Sequence, residues 1–293
     1  MKTNYLNNKD ILKEIHKSKN TYCKYLDVSC ADYDMILSDV KKINKKNIAE
    51  ARKMRAERLS KLAHETAVLA TGQKQKLEEF EIKHTKVPVT DIVFRVMTWE
   101  HIPLDDVKTK KARDAAKELF EDEEETAHTE YDEEDPKHNK YVKVNFPPFY
   151  HYKVNEEGEP YLVGKSHWKG DLNTGQFSKE HGSMTNKLAL MFMKLCERYA
   201  TRSNWRGYTY NDEMRSQALL QLSQIGLQFD ESKSQNPFAY YTAAITNSFT
   251  RVLNIEKRNQ NLRDDILEMN NLNPSYTRQN MSGGGGGGGY YEE

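Results

Sequence analysis

A mainly α-helical fold is predicted for this chain by three observations. Between Met184 and Met269 three consecutive stretches carry apolar residues at helical spacing. Only one short region, 141–164, alternates large and polar residues as a strand pair does. The composition, 37% hydrophobic and 30% charged over 293 residues, suits a well-solvated helical protein with a small core and extended arms. The expected architecture is therefore a helical domain with a small inserted β-hairpin and extended charged segments. It divides into an N-terminal helical segment (1–40), a charged helical insertion with an acidic linker (41–140), a β-hairpin insertion (141–182), a helical domain (183–272) and a Gly-rich tail with an aromatic-acidic tip (273–293).

Taking the elements in order, Asn7-Asn8-Lys9-Asp10 before Ile11, Leu12 and Ile15 reads as a capped amphipathic helix, because an Asn side chain can accept from the open amides of a first turn. A second helix is expected from Lys46 to Ala70, burying Ile48, Ala51, Leu59, Leu62 and Leu69 on one face, with Arg55 inside that stripe and snorkelling outward. Thr71-Gly72 closes it, Gly accepting the left-handed conformation of a helix end. Ile92, Val93, Phe94, Val96 and Met97, between Pro88 and Pro103, read as a strand. Val107 to Glu125 reads as a helix that dissolves into an acidic linker over 121–139. Tyr141–Val144, Tyr150–Val154 and Tyr161–Gly164, with the turn Glu156-Glu157-Gly158-Glu159-Pro160, read as the hairpin.

The helical domain is the most informative part. Met184, Leu188, Met191, Phe192, Leu195 and Tyr199 form one face of its first helix, and Ala189, Leu190 and Met193 make the reverse side apolar too. The loop Arg202-Ser203-Asn204-Trp205-Arg206-Gly207-Tyr208 mixes cations with aromatics. That mix suits either a grip on phosphate and bases or a plain loop with one packed Trp, and composition favours the plain loop. Thr209-Tyr210-Asn211-Asp212 offers capping groups for a second helix, which buries Met214, Ala218, Leu222 and Ile225 and turns Glu213, Ser216, Gln217, Leu220 and Gln224 outward. Asn236-Pro237 opens the third, with an Asn cap and Pro at the first helical position. Phe238, Tyr241, Ile245, Phe249 and Val252 form its core stripe, and Tyr240, Asn247, Arg251, Asn254 and Arg258 lie opposite without a carboxylate. Arg and Asn are side chains that clamp phosphates or read base edges. By itself the pattern suits a solvated helix as well as a DNA-facing one.

Several classes are disfavoured. Net charge is zero, with 44 Lys and Arg against 44 Asp and Glu, so the overall balance does not indicate a polyanionic partner. Basic residues concentrate in 41–62 and acidic residues in 121–135, blocks that usually form solvated faces. Cys23, Cys30 and Cys196 lack metal-type spacing and read as the usage of a reducing, cytoplasmic protein. No apolar run approaches a membrane span, so no membrane partner is expected. There is no phosphate-binding Gly loop, no HExxH and no Cys/His ligand set; His151, His167 and His181 read as isolated surface or packing histidines, and Asp264-Asp265 as a charged helix face. No enzyme activity, catalytic residue, metal or cofactor is expected.

The run from Leu188 to Arg263 resembles the late-gene sigma factors of T-even-type bacteriophages. The motifs that carry the resemblance are Arg202-Ser203-Asn204-Trp205-Arg206-Gly207-Tyr208-Thr209, Gly226-Leu227-Gln228-Phe229-Asp230-Glu231-Ser232-Lys233, Asn236-Pro237-Phe238-Ala239-Tyr240-Tyr241 and Asn254-Ile255-Glu256-Lys257-Arg258. Tyr5-Leu6-Asn7-Asn8-Lys9-Asp10-Ile11-Leu12 is similar to that family's N-terminus, and together these cover a little over a third of the chain. The resemblance implies a divergent sigma region 2-like helical domain acting in the cytoplasm of an infected bacterial host. It implies that Glu213, Ser216, Gln217, Leu220 and Gln224 meet the clamp helices of the largest subunit of host RNA polymerase core. It also implies that Tyr240, Asn247, Arg251, Asn254, Arg258, Trp205, Arg202 and Arg206 meet AT-rich late promoter DNA.

The family further implies a C-terminal motif for the phage sliding clamp, with a late co-activator as an additional partner. Here Tyr290 and Tyr291, behind seven glycines, are the candidate clamp ligand, set against a plain tail. Ala243-Ala244-Ile245 stands where bacterial sigma factors carry a Trp pair, and residues from roughly 28 to 175 do not map onto shorter members of the family. The rival expectation is a co-activator or scaffold that bridges polymerase and other phage proteins without touching DNA.

Overall fold

A computed structural model describes residues 7–73, 76–104 and 141–283. The expected helix Val107–Glu125, the acidic linker and the tip Tyr290-Tyr291 lie outside the described residues, as do Tyr5 and Leu6. The chain forms two compact units. The first comprises residues up to Met191 together with Gln224–Tyr240; the second comprises Phe192–Ser223 and the residues from Tyr241 onward.

The first unit is built on a sheet wider than the expected hairpin. Its strands are β1 (Cys23–Tyr25), β2 (Met35–Leu37), β3 (Phe94–Met97), β4 (Phe149–Val154) and β5 (Pro160–Ser166), in the order β1-β5-β4-β3-β2. The hairpin β4–β5 forms the centre, β1 adds to β5, and β2 pairs in parallel with β3. Strands from the N-terminal stretch and from the charged segment thus complete one sheet. Parallel pairing needs a long crossover, and α2 (Lys45–Thr71) lies within it. A second, two-stranded sheet, β6 (Trp168–Lys169) with β7 (Gln176–Phe177), follows directly.

Period-2 alternation sorts the sheet into two faces. Phe94, Val96 and Tyr152 join Leu37, Ala51, Ile92 and Val154 in one apolar cluster. On the other face the register sets Arg95 opposite His151. Helix α2 meets the apolar cluster only near its start: Ala51 and Ala56 are buried, whereas Leu62 and Leu69 are 58% and 85% exposed. The expected stripe is therefore corrected at its distal end, where the cluster stops. Its arginines also act differently from snorkelling cations. Arg55 and Arg58 pair with the buried Asp34, whose carboxylate also accepts from the Val93 amide, and Arg52 donates to the Val87 carbonyl. Gly72 closes α2 in the left-handed region, φ 67°.

Helix α1 (Asn8–Asn20), capped by Asn7, buries Ile11, Glu14, Ile15, Ser18 and Lys19. Its ammonium, Lys19 Nζ, donates to the Phe229 carbonyl and to Glu231 Oε2, both at 2.6 Å. Burial pushes the Glu231 carboxyl up, but Lys19 and Arg95 outweigh it and hold the group below the usual carboxylate range. Arg95 stacks on Tyr33 and Phe149 at 3.9 and 3.8 Å and donates from Nε to His151 Nε2 at 3.0 Å. A paired, aromatic-shielded ion cluster of this kind holds the 229–231 segment against α1, since a buried charge is tolerated only with partners.

The second unit is helical. It contains most of α3 (Asn186–Ala200), α4 (Asn211–Ile225) and α5 (Pro237–Met269), followed by a short α6 (Tyr276–Gly283). All three expected core stripes are seen, with Phe192, Leu195, Tyr199, Met214, Ala218, Leu222, Tyr241, Ile245, Phe249 and Val252 buried. Three expected stripe residues depart: Met184 lies ahead of the helix and is half-buried, Ile225 is half-buried, and Phe238 is 38% exposed, its amide donating to Asn8 Oδ1.

Candidate functional site

The outer side of α5 is positioned by its inner side. Phe192 meets Tyr241 edge to face with centroids 4.8 Å apart, and Tyr199 meets Phe249 likewise at 5.2 Å. The Tyr199 hydroxyl bonds Thr246 Oγ1 at 2.6 Å. Edge-to-face pairs and a shared hydroxyl define rotation about the helix axis as well as distance. The rotation they impose leaves Asn247, Arg251, Asn254 and Arg258 exposed. From Asn247 to Arg258 the stripe runs about 16 Å, the span of roughly five phosphates along one strand. Those four residues carry two guanidiniums, two amides and no acid.

Tyr240 sits at the start of this stripe and is half-buried, its ring edge-on to Phe229 at 5.6 Å. Part of its surface is thus already used in packing. Phe238, two residues earlier and about 160° round the helix from Tyr240, is exposed although its position in the stripe assigns it to the core.

The loop after α3 corrects one site assignment. Trp205 is 7% exposed and packs on Phe249, Tyr199 and Tyr208, so it belongs to the core rather than to a DNA-facing set. Asn211 Nδ2 donates to the Ala200 and Trp205 carbonyls and ties the loop down. Arg202 and Arg206 are exposed, with the Arg202 guanidinium over the Tyr199 ring at 4.3 Å. The plain reading of the loop holds for its tryptophan, while the cations stay available to a ligand.

On α4 the outward set Glu213, Ser216, Gln217, Leu220 and Gln224 is exposed throughout, Leu220 at 54%. Gln217 Nε2 donates to Glu213 Oε1 one turn away. A single apolar anchor ringed by hydrogen-bonding groups is the composition of a protein-docking patch. Leu190 and Met193 of α3 are exposed at 55% and 43%, so the apolar reverse side of that helix is open rather than buried.

Asp264 is also placed differently from expectation. It is buried, and it accepts from the Ser275 amide and hydroxyl at 2.8 and 2.7 Å. These bonds hold its carboxyl below the usual range and anchor the start of α6. Asp265 instead pairs with Arg278 at 2.6 Å.

His151 and His167 are buried: His151 bonds Arg95 and the Cys30 carbonyl, while His167 bonds Ser166 Oγ through Nδ1, lies 4.1 Å from the Phe146 ring and leaves Nε2 without a partner among the described residues. Burial, before any neighbouring charge, pushes His167 down to about 3 and the Cys196 thiol up to about 11, the behaviour of packed groups rather than of a reactive centre. Among the described residues no group of three or more His, Cys, Asp or Glu could hold a metal ion, and no helix is long and apolar enough to cross a membrane. Comparison with family models, with curated proteins and with solved structures finds no match.

Proposed function

We propose that this chain is a phage-encoded sigma factor that binds host RNA polymerase core and directs recognition and melting of AT-rich late promoters. The observation that carries the reading is the exposed, acid-free stripe Asn247, Arg251, Asn254 and Arg258, mounted on a helix whose rotation is set by an aromatic core. The sequence resemblance supplies the partner, and the exposed patch around Leu220 on α4 supplies a docking surface of fitting composition.

Such a factor does no covalent chemistry. Opening a duplex costs on the order of 1.4 kcal/mol per base step. The arginines offset this by drawing one strand along α5, and an unstacked base gains a platform from the exposed part of the Tyr240 ring. Arg202 and Arg206 extend the cationic surface. In this reading, a C-terminal tether through Tyr290 and Tyr291 couples the factor to the sliding clamp and a late co-activator.

Run-off transcription tests the proposal. The chain with bacterial core polymerase should yield transcripts from a template with an AT-rich late element and none from the scrambled template. A scaffold that bridges polymerase and other proteins without touching DNA is the second reading, favoured by the exposed Leu190 and Met193 on α3. Core binding without promoter-specific transcripts would select it.

A further inference from the structure

The apolar stripe of α5 does not stop where the second unit's core stops. Tyr241, Ile245, Phe249 and Val252 are buried, and the same three- and four-residue steps continue through Ile255, Asn259, Leu262, Ile266 and Met269. Over this distal part the apolar side chains are open: Ile255 is 47% exposed, Leu262 59%, Ile266 51% and Met269 83%. The alternating spacing is that of a heptad seam, with Ile255, Leu262 and Met269 at one core position and Asn259 and Ile266 at the other.

Among the described residues, the return of the chain leaves this seam uncovered. Ser275 docks on Asp264, which lies about 160° round the helix from both Leu262 and Ile266. Gln260 Nε2 also reaches Ser275 Oγ, and Arg278 bridges Asp265 and Glu268. The back of the distal helix is thus held by its own chain while the seam faces outward.

We propose that the seam is covered by the same seam of a second copy of this chain, packed antiparallel. Charge complementarity selects both the occupant and the direction. With Ile255 opposite Ile266 of the other copy and Asn259 opposite its Leu262, flanking residues pair like with like by position. Arg258 then faces Asp265 of the other copy, and Glu256 faces its Arg263; symmetry makes each pair occur twice. All four contacts join opposite charges. In a parallel pair Arg251 would face Glu256 of the other copy but Arg258 would face its Arg263, so attraction and repulsion would offset, whereas the antiparallel pair has attraction alone. Asp265 already accepts from Arg278 of its own chain, and a carboxylate has acceptor sites for both guanidiniums. The two Asn259 residues fall in adjacent layers, roughly 5 Å apart along the axis, within reach of each other's amides. A buried Asn at a core position specifies register at some loss of stability. The inference does not rest on the proposed function, but the two share Arg258, so its test uses Leu262, Arg263 and Glu256, none of which is in the DNA-facing stripe.

Sedimentation of the full chain from about 1 to about 300 µM tests it. A monomer–dimer equilibrium is expected. Leu262→Glu should weaken it at least about tenfold, because the lost apolar contact occurs twice per dimer. Arg263→Glu should also weaken it, and Glu256→Arg combined with Arg263→Glu should restore it. Far-UV circular dichroism should match the parent for Leu262→Glu and Arg263→Glu, as both residues are exposed, and is checked for the double variant, where Glu256 is half-buried. A monomer at every concentration, an assembly larger than two, or a dimer indifferent to Leu262→Glu overturns the proposal. So does a dimer strengthened by Arg263→Glu, the signature of parallel packing.

Discussion

Acidification from pH 7 to pH 5 should destabilise the first unit by about 4 kcal/mol through two histidines alone. His101 is stacked on Tyr150 at 4.5 Å with Nε2 2.9 Å from the Ser166 carbonyl; burial, with Lys165 nearby, pushes it down to about 4. His167 lies against Phe146 and Phe177, and burial, with His101, His181 and Lys19 as neighbouring bases, pushes it down to about 3. Both are held below the ordinary value of 6.5. Between pH 6.5 and the folded value the unfolded chain therefore binds more protons, and stability rises with pH. The contribution is complete above about pH 6.5 and is lost as pH falls towards the folded values. At pH 5 each histidine has forfeited roughly 1.4 kcal/mol per pH unit over about 1.5 units, or about 2 kcal/mol. His16 and His151 are also shifted down, chiefly by burial, and add to the loss with the same sign. Urea unfolding followed by tryptophan fluorescence at the two pH values measures it. His167→Asn, which tolerates the observed φ of 53°, should remove about half of the dependence on these two groups. Stability equal at pH 7 and pH 5 within about 1 kcal/mol would refute the reasoning.

Three further outcomes are expected. Arg251→Ala with Arg258→Ala should lower promoter opening and reduce the slope of log affinity against log salt by about 1.5, leaving polymerase binding unchanged in a pull-down; an unchanged slope removes α5 from the DNA-facing role. Trp205→Ala should cost about 3–5 kcal/mol in thermal or urea unfolding, as a core truncation does, and Trp205→Phe considerably less; a stable Trp205→Ala protein impaired only in DNA binding would reverse the placement of this residue. Lys19→Met should cost about 3 kcal/mol by leaving Glu231 buried with a lost partner, and Lys19→Met with Glu231→Gln less than that; additive losses in the double variant would show that the pair is uncoupled.

Much of the helical part was legible because its signals are local and repeat many times. Asn7 and Asn236 accept from amides three residues on, Gly72 closes α2, and each core stripe of α3, α4 and α5 recurs over several turns. A three-residue strand has no such repetition. Cys23–Tyr25 and Met35–Leu37 become strands only because β5 and β3 offer them edges, so a hairpin was expected where a five-stranded sheet exists. Trp205, Arg and Tyr in one loop gave a pattern open to two readings, and the aromatic neighbours that bury the indole come from Tyr199 and Phe249 on other elements.

By itself the sequence determined where α1, α2 and α5 begin and which α5 residues share a face, since these follow from capping chemistry and a 3.6-residue period, but it placed Tyr276–Gly283, a helix, in the expected tail (273–293). Tertiary structure decided how far each face is covered. It buried Trp205 and Asp264, opened Phe238, and left Ile255, Leu262 and Ile266 exposed on a stripe continuous with the core. The physical reason is that periodicity defines direction around a helix, whereas burial depends on which other element reaches that side, and such partners lie distant in the chain.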